Sequence, residues 1–253
     1  VASSAKTVQE FGPDRLELWL GRGNAALRMV GIPQLRIGQM RDAIVKIRAF
    51  MAGEWNVYEP TEGIAEQVRL HHSDGEPVPI YLASGGPLGT RLAGELCDGV
   101  LLTCPPEAEG LAQSRKWLAE GAARSGRDVS EVHQVLQVRC LVRDTRRKAV
   151  RAWSPNLIRI LAGSGAEEWL QQRGIDYDIA PLKERVQAAY AKLRELYPDV
   201  SHIQDWDAGE ELADAVPYEL QEAMGDKMAV LGDPDQVTQR MLELQKLGVS
   251  HIY

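Results

Sequence analysis

Val78-Pro79-Ile80-Tyr81-Leu82-Ala83-Ser84-Gly85-Gly86-Pro87-Leu88-Gly89-Thr90-Arg91-Leu92-Ala93-Gly94 is the stretch on which the fold turns. It begins as a short apolar run, partly β-branched, of the length expected for a strand buried on both faces. The run breaks at Ser84-Gly85-Gly86 and restarts at Pro87 with leucines at 88, 92 and 96. Proline suits the first turn of a helix, where its missing N–H is no loss, so the segment reads as strand, turn, helix. Two glycines in such a turn let the backbone approach a ligand, and the N–H groups opening the helix favour an anion. A plain tight turn has the same sequence, and from chemistry alone both readings stand. The spacing does not match the GxGxxG dinucleotide fingerprint.

Working outward, the same grammar recurs. Arg15 to Leu20 reads as a strand running into the glycine-bearing turn Gly21-Arg22-Gly23-Asn24, preceded by a helix over 2–11 that Gly12-Pro13 stops. Met40, Ala43, Ile44, Ile47 and Phe50 fall at helical spacing up to Gly53. Residues 54–77 form an irregular connection that can hold a small hairpin. Val100-Leu101-Leu102-Thr103 is another short buried strand after Asp98-Gly99, followed by a helix over 107–124. A longer strand is expected over Val132–Val142, then a helix that Asp144 or Thr145 caps and that carries Trp153.

From 154 to 227 the pattern is helical and polar, with one clear helix over 182–197. This is too long for an ordinary connection and reads as an insertion. Asp233-Pro234-Asp235-Gln236 has the form of a capping box, Gly248 closes the helix it opens, and Val249–Tyr253 reads as a last strand. Strands alternating with helices require a parallel sheet, open or closed into a barrel, with ligands at the carboxyl ends of the strands. The turns after Leu20 and Ala83, and Thr103, all fall at such ends, which favours the ligand reading of the opening stretch.

The totals exclude several classes. At 253 residues, 44% hydrophobic and 26% charged, the chain has the composition of a soluble globular enzyme. A net charge of -7 is not that of a nucleic-acid binder. No apolar run approaches the ~18 residues that span a bilayer, and Val-Ala-Ser-Ser-Ala-Lys is not a secretory signal. It lacks a starting Met, which fits processing or truncation. Three cysteines without a CxxC pair read as reduced thiols in a cytoplasmic protein. The five histidines show no ligand spacing, so no metal site is expected; His251, near a strand end, is the one to test. Arg143, Arg146, Arg147, Lys148 and Arg151 spread around a helix and read as a solvated face. The six tryptophans read as packing anchors.

Three blocks carry a family resemblance. Leu20 to Arg28 with Gly31 resembles the LGxGxGD…LG segment of the luciferase-like monooxygenase superfamily. Pro79 to Pro87 with Leu92-Ala93-Gly94 and Cys97-Asp98-Gly99-Val100 resembles its P-I-x-(A/S)-x-G-P…LAG…ADG block. Gly232-Asp233-Pro234 to Leu247-Gly248-Val249 resembles its G-x-P-(E/D)…GV finish. The double glycine before Pro87 leans toward the deazaflavin branch, which uses coenzyme F-420 and includes methylenetetrahydromethanopterin reductases and actinobacterial glucose-6-phosphate dehydrogenases.

The resemblance implies an α/β fold, a (β/α)8 TIM barrel represented here by about five strands, the fourth to the eighth. The helical insertion at 154–227, before the last strand, lies within one barrel domain spanning 1–253 and shapes the substrate entrance. About five strands cannot close a barrel, so the sequence reads as an incomplete representation, without an N-terminal part and the final helix. The resemblance also implies an oxidoreductase moving a hydride between reduced coenzyme F-420 and an organic acceptor, working as a homodimer on a small molecule. An FMN-dependent monooxygenase and a non-catalytic cofactor-binding or dimerising member are the alternatives.

Arg22, Gly23, Asn24 and Arg28 match the cofactor-contacting segment, and Ala83, Ser84, Gly85, Gly86 and Pro87 match the turn that cradles the cofactor's phosphate-bearing tail. Asn24 stands where relatives carry an acid proposed as proton donor, so no catalytic residue is assigned. Thr103 matches a substrate-phosphate contact, but the lysine expected shortly after it is missing, which disfavours a sugar phosphate.

Overall fold

A computed structural model of the chain describes residues 1–23, 27, 30–61, 63–71, 77–196 and 206–253. The chain forms two compact units, Val1–Cys104 with Ala112–Leu136, and Pro105–Leu111 with Gln137–Tyr253.

The first unit is built on a parallel four-stranded sheet. Helix α1 (Ala2–Phe11) precedes β1 (Leu18–Leu20), shorter than the expected 15–20, and α2 (Ile37–Met51) follows. The connection then holds the antiparallel hairpin β2 (Asn56–Thr61) and β3 (Ile64–Val68). Strand β4 (Ile80–Ser84) leads into α3 (Pro87–Leu96), then β5 (Gly99–Leu102), α4 (Ala108–Arg124) and β6 (His133–Leu136). The sheet order is β1-β4-β5-β6, and every neighbouring pair is parallel. All four carboxyl ends therefore lie along one edge.

The register sorts the side chains. Ile80, Leu82, Val100, Leu102 and Leu136 alternate with Tyr81, Leu101 and Val135, and both sets are buried. This matches the continuous apolar run read at 78–83, since a strand covered on both faces has no polar alternation. Each fully buried Leu or Ile contributes on the order of 1.5–3 kcal/mol. Met40 and Ile44 of α2, Leu92 of α3 and Leu118 of α4 are also buried. Arg91 and Glu120 join α3 to α4 at 2.7 Å.

The second unit begins where the long strand expected over 132–142 ends early. After β6 the chain passes through Gln137-Val138-Arg139 into β7 (Cys140–Val142), which pairs in parallel with β8 (Val230–Gly232) and not with the first sheet's strands. Between β7 and β8 come helices α5 (Arg146–Leu161), α6 (Ala166–Gln172), α7 (Lys183–Leu196), α8 (Trp206–Glu210) and α9 (Tyr218–Met228). Helix α10 (Pro234–Lys246) closes the unit, with the capping box at Asp233 and Gln236 that the sequence signals. Strand β8 is thus the strand after the helical stretch, whereas Val249–Tyr253 holds only a lone bridge at Ile252.

The helices read as an insertion carry their own core. Trp153, Leu157, Leu170, Leu193, Leu220, Met224 and Leu231 are buried together. Ser154 Oγ donates to Gln221 Oε1 at 2.6 Å, and Gln221 Nε2 donates to the Ala213 and Val216 carbonyls at 2.8 and 2.6 Å. This buried polar network is fully partnered, which fixes α5 against α9. Arg146 pairs with Glu222 at 2.7 Å and Arg151 with Asp214 at 2.6 Å. The basic run is therefore not simply a solvated face: two of its arginines hold the helical segment.

Among the described residues no helix is long and apolar enough to cross a membrane. Nor do they contain a group of three or more His, Cys, Asp or Glu side chains able to hold a metal ion.

Candidate functional site

The carboxyl edge of the first sheet carries a cleft of about 510 Å³. Its walls come from Gly21-Arg22-Gly23 after β1, from Ala83 through Gly89 at the end of β4 and the start of α3, and from Thr103 after β5. The parallel register brings these three stretches to one level, since Leu20 lies beside Leu82 and Ser84 beside Leu102. Arg22, Gly23, Ala83, Ser84, Gly85, Gly86, Pro87 and Thr103 are therefore gathered in one place. Asn24 and Arg28 lie outside the described residues, as do His72 and His202.

The turn is locked by its own hydroxyls. Thr90, almost fully buried, donates from Oγ1 to the Gly86 carbonyl at 2.9 Å, and Ser84 Oγ reaches the same carbonyl at 3.2 Å. The Thr103 N–H donates to the Ser84 carbonyl at 3.0 Å. On the other wall the Arg22 carbonyl accepts the Leu35 N–H at 3.1 Å, and Arg22 Nε donates to the Leu35 carbonyl at 2.6 Å. That two-way clamp places Gln34 in the cleft wall, a residue the sequence does not single out because its segment has no periodicity.

The glycines separate into structural and unconstrained positions. A Cβ on Gly85 would collide with Thr103 Oγ1 and come within 2.9 Å of the Thr103 carbonyl oxygen, so packing alone requires glycine there. A Cβ on Gly86 or on Gly21 would meet nothing within 4 Å. Gly86 has φ -135°, an ordinary extended value. Neither backbone nor packing asks for glycine at these two places, and both border the cleft. Gly86 is also the N-cap of α3, with no side chain capping it and Pro87 following. The open end of a ten-residue helix presents backbone N–H groups and a partial positive charge to the cleft. The arrangement suits an anionic group lying against bare backbone.

Beneath the cleft, one face of the sheet carries an aromatic cluster. Trp19 stacks on Tyr81 with centroids 4.5 Å apart, and the Tyr81 hydroxyl lies 2.8 Å from His133 Nδ1. Burial, reinforced by the negative charge of Glu17, pushes the Tyr81 hydroxyl up to about 12. Burial pushes the Cys97 thiol up to about 12 as well, so it is an inert core residue. His251 is exposed, and its Nδ1 lies 3.1 Å from Ser250 Oγ. Of the tryptophans read as packing anchors, Trp153 is buried in the second unit's core and Trp169 packs against it, whereas Trp19 and Trp55 are exposed.

A parallel α/β sheet with a glycine-walled cleft at its carboxyl edge is the arrangement in which barrels and open α/β sheets alike place their ligand sites. The family pattern described as luciferase-like monooxygenase matches residues 1–251, and the chain belongs to that family. The F-420-dependent glucose-6-phosphate dehydrogenase of Beutenbergia cavernae is 26% identical over 258 residues, covering 100% of this chain and 66% of the relative. A 5,10-methylenetetrahydromethanopterin reductase of Methanolobus tindarius is 27% identical over 253 residues, covering 99% of this chain and 71% of the relative. The chain thus spans about two thirds of the length of these curated relatives.

Among solved structures, the coenzyme F-420-dependent tetrahydromethanopterin reductase from Methanopyrus kandleri aligns with a TM-score of 0.66 at 21% identity, over 99% of this chain and 71% of that one. An F-420-dependent secondary alcohol dehydrogenase in complex with an F-420–acetone adduct aligns at 0.63 and 18%, over 99% and 67%. These likenesses support the barrel-type fold.

Proposed function

We propose that this protein is an oxidoreductase that transfers a hydride between reduced coenzyme F-420 and an organic acceptor. We further propose that the cleft at Arg22-Gly23, Ala83–Pro87 and Thr103 holds the phosphate-bearing tail of that cofactor, with Asn24 and Arg28 as further contacts. The observation that carries this reading is the pair of open glycines, Gly21 and Gly86, beside the uncapped start of α3. Two curated relatives over nearly the whole chain are named an F-420-dependent glucose-6-phosphate dehydrogenase and a 5,10-methylenetetrahydromethanopterin reductase, which supports the same choice.

The bound deazaflavin would supply an obligate two-electron hydride. The chain's own part is binding and orientation. The Gly85-Gly86 backbone and the N–H groups opening α3 take the anionic tail, and Arg22 adds a cation at the rim. Thr103 Oγ1, held against Gly85, fixes the floor of the cleft. Holding the tail rigidly converts a bimolecular encounter into a positioned one, worth several kcal/mol of barrier, up to about 7–11. The helices over 154–227 shape the acceptor's entrance within one barrel domain over 1–253. We place the working protein as a homodimer in the cytoplasm, acting on a small molecule and not on nucleic acid, in keeping with its net charge of -7.

Titration of the protein with F-420 and separately with FMN, followed by their fluorescence, tests this. Saturable F-420 binding supports the assignment. Tight FMN binding without F-420 binding overturns it in favour of a flavin monooxygenase.

A further inference from the structure

The backbone around Gln34 is tied down on both sides while its side chain is left unspent. The Ile32 N–H donates to the Leu27 carbonyl at 2.8 Å, and Pro33 has its φ locked by its ring. On the other side Leu35 exchanges two hydrogen bonds with Arg22, at 3.1 and 2.6 Å. None of these bonds uses the Gln34 amide, which has no hydrogen-bond partner among the described residues. The side chain is exposed, and it lines the cleft.

The two walls of the cleft grow from neighbouring strands. Gly21-Arg22-Gly23 continues from β1, and the Ala83–Gly86 turn continues from β4, which pairs with β1 in parallel. Neighbouring strands lie about 4.7–4.9 Å apart, so the wall that carries Gln34 and the wall that ends in the α3 N-terminus rise one strand spacing from each other. The chain holds 36 Asp and Glu against 29 Lys and Arg, yet no described residue lining the cleft is a carboxylate. An anionic group lying on the α3 N-terminus therefore has backbone donors on one side and a free amide on the facing wall. An amide N–H to a charged oxygen is a charge-assisted bond. The fixed backbone at Gln34 lowers the ordering cost of forming it.

We propose that Gln34 is a binding residue for the anionic tail of the ligand, its amide N–H donating to a phosphate or carboxylate oxygen from the wall that faces α3. The tail is then gripped from two sides, which fixes its direction along the cleft as well as its place. This inference rests on the reading of the cleft as the cofactor-tail site.

The experiment measures the affinity of the unaltered protein and of Gln34→Lys, Gln34→Glu and Gln34→Met for F-420, and for the deazaflavin core lacking the phosphate-bearing tail. Unfolding curves for all four check that the exposed position tolerates the changes. With F-420, Gln34→Met binds about tenfold or more weakly, for loss of a bond to a charged group. Gln34→Glu binds more weakly still, and Gln34→Lys binds at least about tenfold more tightly than Gln34→Glu, because the position faces negative charge. The core without its tail is bound alike by all four proteins. Equal F-420 affinity in the Lys and Glu variants, or a core affinity that moves by the same factor as that for F-420, overturns this inference and leaves the cofactor assignment standing. Failure of the unaltered protein to bind F-420 overturns both.

Discussion

The Arg48 guanidinium donates to Asp98 Oδ2 at 2.6 Å, and the same oxygen accepts the Ile80 N–H at 2.7 Å. Arg48 also donates to the Leu96 carbonyl at 2.9 Å. One carboxylate therefore joins α2, the end of α3 and the first residue of β4. The Asp98 backbone extends the junction, donating to the Ile80 carbonyl and accepting the His133 N–H, each at 2.9 Å. Asp98 thus sets the level at which β4, β5 and β6 start, and so the level at which their carboxyl ends meet the cleft.

Replacing Asp98 by Ala leaves the Ile80 N–H and the Arg48 guanidinium without their shared acceptor. The ion pair is more than a third exposed on the Asp98 side, so its charge contributes little, and the loss comes mainly from the unpaired groups. Urea unfolding should show a stability loss of about 1–3 kcal/mol. An unchanged midpoint would contradict the junction's role.

Gly85→Ala tests packing without cofactor. The added Cβ collides with Thr103 Oγ1 and crowds the Thr103 carbonyl, so the turn or β5 must shift. Overpacking of this kind costs about 1–3 kcal/mol. Combining it with Thr103→Ala relieves only part of the loss, because the carbonyl at 2.9 Å remains. Thermal unfolding of the single and double variants checks both statements.

Tyr81 gives a pH signature. Its hydroxyl keeps its proton to about 12 in the fold against 10.0 for the free group, so the folded state binds the proton more tightly. The corresponding stability is fully present below pH 10 and is lost as pH rises from 10 to 12. Two units correspond to roughly 2–3 kcal/mol. Tyr81→Phe should lower stability at pH 8 by about 1 kcal/mol through the lost contact with His133 and flatten the decline above pH 10. Parallel slopes for both proteins in chemical unfolding at pH 8–11 would contradict this.

The alternation of strands and helices, the capping box at Asp233 and the turn at Ser84–Pro87 were legible in the sequence because each has a local cause: an apolar run, a reciprocal side-chain bond, a proline at the first helical turn. The break in 132–142 was not. Gln137-Val138-Arg139 contains no glycine or proline, and the chain leaves one sheet for another in the middle of a β-branched run. Strand β8 was hidden for another reason, since Val230-Leu231-Gly232 is too short to show a period and follows a helix directly. At the site, Gly85 and Gly86 look alike in sequence. Only their surroundings separate the glycine that packing requires from the one that faces open space. Gln34 reaches the cleft wall through the bonds between Arg22 and Leu35, thirteen residues apart, and no motif marks it.

The most direct test of the cofactor assignment is the F-420 affinity of Gly86→Val measured beside that of the unaltered protein, with unfolding curves for both. Gly86 has an extended backbone and open space at its Cβ, so the variant should fold, losing about 1 kcal/mol or less as a poorer N-cap, while its isopropyl group fills the place of the tail. F-420 binding should fall by at least about tenfold, a loss of 1.4 kcal/mol or more. Equal F-420 affinity in a folded Gly86→Val protein would show that the cofactor tail does not lie against this turn.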